Sequence, residues 1–428
     1  MTSANGPILF NSSTGDDSLA SGLGPSSAVY GSSGELDGTS TVDVSYDGVD
    51  LSSISAGDLL YCSTSSGRQF SIIASVDSIN ETITTDNAWP IESGVSWAVG
   101  GKRATLQNSQ YLWIKTDGIG QQTYELETDQ TMSSYVVSYS GMGGAIKSSV
   151  AGTKRTITLG GSYFTEGGHW SCYDIHFKSS ATAYLGRAST AVQHSTWYLY
   201  DCIVGDSTDQ FLSIGTAQSR TFTILARRTI FQNFAGATFQ FISTDLTNCI
   251  IRDQPTQRAF HTYSTGSASH RAQHCIFTNL FDVSYQRRSQ GTNIRNCVIE
   301  GMVSTGSLFL YSDNAPGNVI ENIFVNNAGQ VGTWSSSRMF GNAYYNSGTI
   351  PTQDTDPITL TADPFTDAAN EDFSLNSDAG GGAVLRAKKS TVSSTDFHQF
   401  NWLTDGSGGG GGSTPHPLGG SSFHPLGS

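Results

Sequence analysis

The sequence predicts an all-β protein whose body is a parallel β-solenoid, preceded by a small β-domain. Three observations carry this. A short motif returns along the chain, as "LTNCIIRDQ" from residue 246, "QHCIFTNL" from 273 and "IRNCVIEGM" from 294. The composition is that of short strands and turns: 48 Gly among 428 residues, many Ser, Thr and Asn, and only 14% charged residues. No long stretch places apolar residues at helical spacing.

Length alone allows two to four ordinary domains or one long repetitive one. With 22 Lys and Arg against 36 Asp and Glu, the net charge is −14. Such a surface repels phosphate backbones, so nucleic acid is not an expected partner. The start, "MTSANGPILFNSSTGDD", has no basic segment followed by an apolar core, so no secretory signal is expected. No apolar run reaches transmembrane length, and the expectation is a soluble product made in a cytoplasm without membrane insertion.

Residues 1–45 are rich in Ser, Gly, Thr and Asp and have few apolar anchors, which predicts a flexible arm ordered only by docking. Residues 46–106 differ. "AGDLLYCSTSSGRQFSIIASVDSINETITTDNAW" alternates apolar runs at 59–62, 70–76 and 82–84 with turn residues, and "SWAVGGKRATL" follows. This predicts a small barrel or sandwich serving attachment, with Cys62 in its core.

Residues 107–390 hold the repeat. Aligning the motif gives central residues Ile175, Cys202, Thr229, Cys249, Cys275, Cys297 and Ile323, separated by 27, 27, 20, 26, 22 and 26 residues. Second strand-like runs follow each motif, such as "TFQFIST" at 238, "FDVSYQRR" at 281 and "SLFLYSD" at 307. One coil per repeat, with strands stacked at about 4.8 Å, explains the period. Small or branched residues suit the inward central position. The residue before it is polar (Asp174, Asp201, Arg228, Asn248, His274, Asn296, Asn322), as expected at a turn or on the outer face. Equivalent cysteines on adjacent coils sit too far apart for a relaxed disulfide, so a reduced, buried thiol ladder is expected. His274 beside Cys275 is the only His–Cys neighbour pair, and its members should face opposite ways, so no metal or other cofactor is expected.

"TNCIIRD", "RNCVIEGM" and "ENIFVNN" resemble the coils of the right-handed, single-stranded parallel β-helix proteins of the pectate-lyase-like superfamily. "TADPFTDAANEDFSLNSDAGGG" at 361–382 resembles a segment that closes such helices in bacterial and phage proteins. It departs from the usual "SPAIDAG" continuation, reading "AGGGAVLRA" instead. The coil resemblance spans roughly 110–385 and implies about eight to ten coils. The rhythm of 46–106 is similar to small barrels near the N-termini of virion-attached proteins. The superfamily includes lyases, hydrolases, tailspikes and inert virion parts, so the fold leaves function open.

If the chain were an enzyme, Asp174 and Asp201, equivalent on neighbouring coils, would be the first carboxylate pair, and Asp206 and Asp209 the second. Arg227 with Arg228, or Arg287 with Arg288, would bind uronates. Against this, the "R-x-P-x-x-R" element of pectate lyases and the "N-T-D", "G-H-G" and "R-I-K" elements of polygalacturonases are absent, and no "D-D" element occurs within the coils. Tyr263, Tyr285, Phe309 and Tyr311 fall on the second strand of successive coils. Exposed, the tyrosines would offer sugars a stacking surface.

Residues 391–428 hold five consecutive Gly (408–412) and two copies of His-Pro-Leu-Gly. His416, Pro417, Leu418, Phe423, His424, Pro425 and Leu426 have the makings of a tandem docking peptide on a tether. Together with the resemblance, these features lead us to expect a non-enzymatic structural protein of a phage or phage-like particle, as a capsid decoration or a tail-associated spike or fibre. Its partners would be other capsid or tail proteins, its location the virion, and its assembly a homotrimer or a monomer. Two alternatives stand beside it: a tailspike-type depolymerase of host surface polysaccharide, glycosidase or lyase, and a carbohydrate-binding adhesin.

Overall fold

The computed structural model describes residues 8–11, 29–99 and, with breaks, 121–389. The chain divides into two compact units, residues 1–195 and 196–428. Parallel coils recur in both, and a small antiparallel barrel lies in the first.

The barrel closes through Val29–Asp37, Thr41–Asp43, Thr82–Thr85, Gly67–Asp77, Leu59–Thr64 and Ile91–Val99, neighbours in that order. Residues alternate between wall and core, as a two-residue strand period requires; Leu36, Val42, Leu60, Cys62, Ile73, Ile83 and Trp97 fill the interior. The barrel opens at Val29, so residues 29–45, which composition had assigned to the arm, supply wall strands. The first wall strand, "VYGSSGELD", hides this because glycine and serine replace the usual alternation. Gly31 is required there: a Cβ would lie 2.2 Å from an Asp47 carboxylate oxygen and 2.5 Å from Trp97 Nε1.

Residues 8–11 belong elsewhere. Ile8–Asn11 pairs in parallel with Gln121–Leu126, so four residues of the expected arm form a rung of the solenoid. The barrel is thus an insertion between two rungs of one sheet. Gln121–Leu126 continues in parallel to Gly143–Ser148 and then Gly168–Tyr173. A second ladder joins Gln130–Met132, Arg155–Leu159 and Ile175–Ser179, and a third Val136–Val137, Tyr163–Glu166 and Tyr184–Arg187. Tyr124, Ile146 and Cys172 are in register across the first ladder and are all buried.

In the second unit one parallel ladder runs through Thr221–Arg227, Ser243–Thr247, His270–Gln273, Thr292–Arg295, Asn318–Ile320, Arg338–Phe340 and Asp354–Thr355. Its companion runs through Ile203–Ser207, Ile230–Phe234, Ile250–Thr262, Ile276–Gln286, Val298–Glu300, Ile323–Val325, Ala343–Tyr345 and Ile358–Thr359. The fold is a parallel β-helix. A hairpin of Phe365–Asp367 and Asp372–Leu375 and a helix, Gly382–Lys389, follow the last coil. Phe365, Phe373 and Leu385 share one apolar cluster with Ile230, Ile250, Ile276, Val298, Ile323 and Ala343.

The polar column of the repeat marks the bend between the two ladders. Asp201, Arg228, Asn248, His274, Asn296 and Glu321 have left-handed backbones, with φ of 54, 49, 53, 53, 52 and 56°. The residue after each points inward. Successive amides fix the register: Ile276 N donates to Cys249 O, Val298 N to Cys275 O, and Ile323 N to Cys297 O. Ile323 is therefore the partner of Val298, and the inward residue of its coil is Asn322. The sequence alignment, which placed Ile323 in the cysteine column and Asn322 in the polar one, is corrected by one residue. The bend at Glu321 decides it, and a slip of one position would turn each side chain to the opposite face. The inward column reads Cys202, Thr229, Cys249, Cys275, Cys297, Asn322, Asn342.

Candidate functional site

The bends concentrate the polar chemistry of the second unit. Residues other than Gly, Asn and Asp adopt the left-handed region at a cost, which side-chain bonds at the bend help to offset. Asp201 and Arg228 supply one for each other: Arg228 Nε and an Nη donate to the two carboxylate oxygens of Asp201 at 2.7 and 2.5 Å. This fork-to-carboxylate pair ties one coil to the next. Asp174, a candidate acid of the first unit, is also left-handed (φ 55°), and its carboxylate accepts from Gly152 N at 3.1 Å.

A second bend, which the sequence reading missed, lies five residues after the first. Asp206, Asn233, Asp253, Asn279, Asn326 and Asn346 are all left-handed, and Gly301 takes the same place in its coil. Asn233 donates to Asp206 at 2.8 Å, Asn279 to Asp253 at 3.1 Å, and Asn346 to Asn326 at 2.9 Å. The signal was present: Asn, Asp or Gly recurs five residues after the first polar column in every coil from 201 to 346. Asp206, a candidate of the second carboxylate pair, is one rail of this amide ladder. Asp209, the other, lies outside the described residues, as do Arg287 and Arg288. Arg227, a candidate uronate ligand, sits 3.2 Å from Asp245.

Two of the candidate tyrosines fall on strands of the coils: Tyr285 is in register with His261 and Leu310, and Tyr311 with Gln286. Tyr263 and the side chains of Tyr285, Phe309 and Tyr311 lie outside the described residues. So does the whole tail, including His416, Pro417, Leu418, Phe423, His424, Pro425 and Leu426.

Inside the coils the chemistry is that of capped bends. Cys249, Cys275 and Cys297 each donate S–H to the carbonyl two residues back, at 3.4, 3.2 and 3.2 Å, and Thr229 O–H does the same at 3.1 Å. A small side chain with one donor fits that place, which explains why Thr229 can stand in a column of Cys. None of the six cysteines forms a disulfide, and all are buried. Burial pushes the Cys249 and Cys275 thiols well above their ordinary range, which suppresses the nucleophilic thiolate. In the last coils amides replace thiols. Asn322 accepts from Cys297 N at 2.9 Å and donates to Ile294 O and Asn342 Oδ1 at 3.0 and 3.1 Å. Asn342 passes the chain on to Asp354, which also accepts from Tyr344 Oη at 2.6 Å.

Two buried titratable groups were not singled out in the sequence. His270 is stacked on Phe260 (centroids 4.6 Å apart) and shares a hydrogen bond with Thr244 Oγ1 at 3.1 Å. Burial lowers its pKa to about 3. Its place was readable from "SHRAQHC", where His270 and Ala272 alternate inward. Asp282 has no exposed surface and accepts from Arg258 Nε at 2.9 Å. Burial raises its pKa to about 6, against the opposing pull of Arg258.

No family model, no curated protein and no solved structure matches the chain.

Proposed function

We propose that the chain is a non-enzymatic structural protein of a phage or phage-like particle, a rigid coil stack that decorates a capsid or forms a tail-associated spike. The supporting observation is the employment of the candidate carboxylates. Asp201 is engaged by Arg228 and Asp206 by Asn233, each across one coil step at a left-handed bend. A general acid or nucleophile needs a carboxyl free to meet a substrate; these two hold adjacent coils together. Stacked bends, capped by thiols, hydroxyls and amides inside and by amide–carboxylate pairs outside, suit a stiff scaffold.

Two experiments test the proposal. Mass spectrometry of purified particles should find the chain at a fixed copy number, and its absence would remove the particle role. Incubation with bacterial surface polysaccharides should release neither reducing ends nor unsaturated sugars. Products that disappear in Asp201→Ala would establish a depolymerase instead.

A further inference from the structure

The barrel presents two large apolar side chains to solvent at one end. Ile79 is 91% exposed and Tyr46 73%. Their loops are neighbours: Asp43 pairs with Thr82, and Val44 N donates to Glu81 O at 3.0 Å. Neither loop is slack. Asp77 accepts from Ile79 N, Asn80 N and Asn80 Nδ2 at 2.9, 3.1 and 2.6 Å, which fixes the turn that carries Ile79. Asp47, next to Tyr46, accepts from Ser32 N, Ser33 N and Trp97 Nε1 at 3.0, 3.1 and 2.7 Å. Asp43 accepts from Ser45 N at 2.9 Å.

Exposing an apolar residue on a braced turn contributes nothing to the barrel core. It does lower the ordering cost of inserting that residue into a partner. The carboxylates that brace the loops, Asp43, Asp47 and Asp77, join Glu81 in rimming them with negative charge. Residues 29–99 carry ten Asp and Glu and a single Arg, Arg68, placed at the far end of the strand that ends in Asp77. The sign disfavours nucleic acid and anionic lipid, and it repels the barrel of a second copy. We propose that Tyr46 and Ile79 form a preorganised docking knob that inserts into an apolar pocket rimmed by Lys or Arg on a partner protein. The inference concerns the barrel alone and stands whether or not the coil stack belongs to a particle.

The test places a photo-reactive phenylalanine at position 79 of the full chain in the cells that produce it, with position 91 as control. Ile91 is 83% exposed but pairs with Asp37 at the opposite end of the barrel. Crosslinked peptides are sequenced, and the protein they come from is purified and titrated against wild type, Ile79→Ser, Tyr46→Ser and Ile91→Ser at two salt concentrations. The knob predicts one dominant partner crosslinked through a Lys- or Arg-containing surface. Its affinity should fall about tenfold or more in Ile79→Ser or Tyr46→Ser, as for anchor residues, fall with salt, and stay unchanged in Ile91→Ser. Crosslinking no stronger at 79 than at 91, crosslinks to a second copy or to lipid, or affinity unaffected by Ile79→Ser would each overturn it. Because all three positions are exposed, the variants should melt as wild type does.

Discussion

At the scale of single residues, the coil stack depends on side chains that complete the hydrogen bonds of bent backbone. Asn322 is one of them, with bonds to Cys297 N, Ile294 O and Asn342. Asn322→Leu keeps the volume but orphans buried groups, and should cost about 3 kcal/mol in denaturant unfolding. The perturbed titrations of His270 and Asp282 have opposite signs. His270 has a folded pKa of about 3, below its unfolded value of 6.5. Its contribution is present above pH 6.5 and is lost as pH falls toward 3. Asp282 has a folded pKa of about 6, above its unfolded 3.8, so its contribution is present below pH 3.8 and is lost as pH rises through 6. Unfolding midpoints measured across pH 3–7 should show a shallower acid-side loss in His270→Gln. Asp282→Asn should remove the loss seen on raising pH through the same range. The inward place of His270 was readable from its strand, but neither titration was, because the shifts come from burial by other coils rather than from any local motif.

At the scale of the element, the repeat period was readable because each coil returns the same pair of demands: a left-handed residue, then a small inward one. The cysteines made that column visible. Where Asn322 and Asn342 take over, the apolar Ile323 was the better match by composition and the register slipped by one. The second bend escaped because Asn, Asp and Gly are common throughout this chain, so five-residue recurrence did not stand out. The first barrel strand escaped for the same reason. Close packing between coils gives a direct test at Gly205, where a Cβ would lie 1.9 Å from Gln232 O. Gly205→Ala should push the Ile203–Ser207 strand off its neighbour and destabilise the second unit by about 2–3 kcal/mol, read as a lower urea midpoint. An unchanged midpoint would mean that the two strands do not approach so closely.

At the scale of the whole molecule, an insertion and a closing segment give the solenoid its individuality. The barrel departs from the ladder after Ile8–Asn11, and the chain rejoins it at Gln121–Leu126. In the second unit, Phe365, Phe373 and Leu385 complete an apolar cluster that runs along the strands of the coils. Removing residues 361–428 should expose that cluster and a sheet end together, and the truncated chain should elute as aggregate in size-exclusion chromatography. A monodisperse, fully folded truncation would show that the segment is not a cap. Function was the least legible property. The carboxylates that suggested chemistry from their spacing are equally spaced because bends recur, and the hydrogen-bond partners they meet across coils cannot be read from spacing.

The coil register carries every one of these assignments, and sulfur-anomalous diffraction tests it most directly. Cys249, Cys275 and Cys297 should give three peaks in a line along the stack, about 5 Å apart, with Cys202 beyond a gap of about twice that spacing, where Thr229 intervenes. Peaks of these four cysteines scattered away from a common line would contradict the stacked column, and with it the bends, the amide ladders and the scaffold built from them.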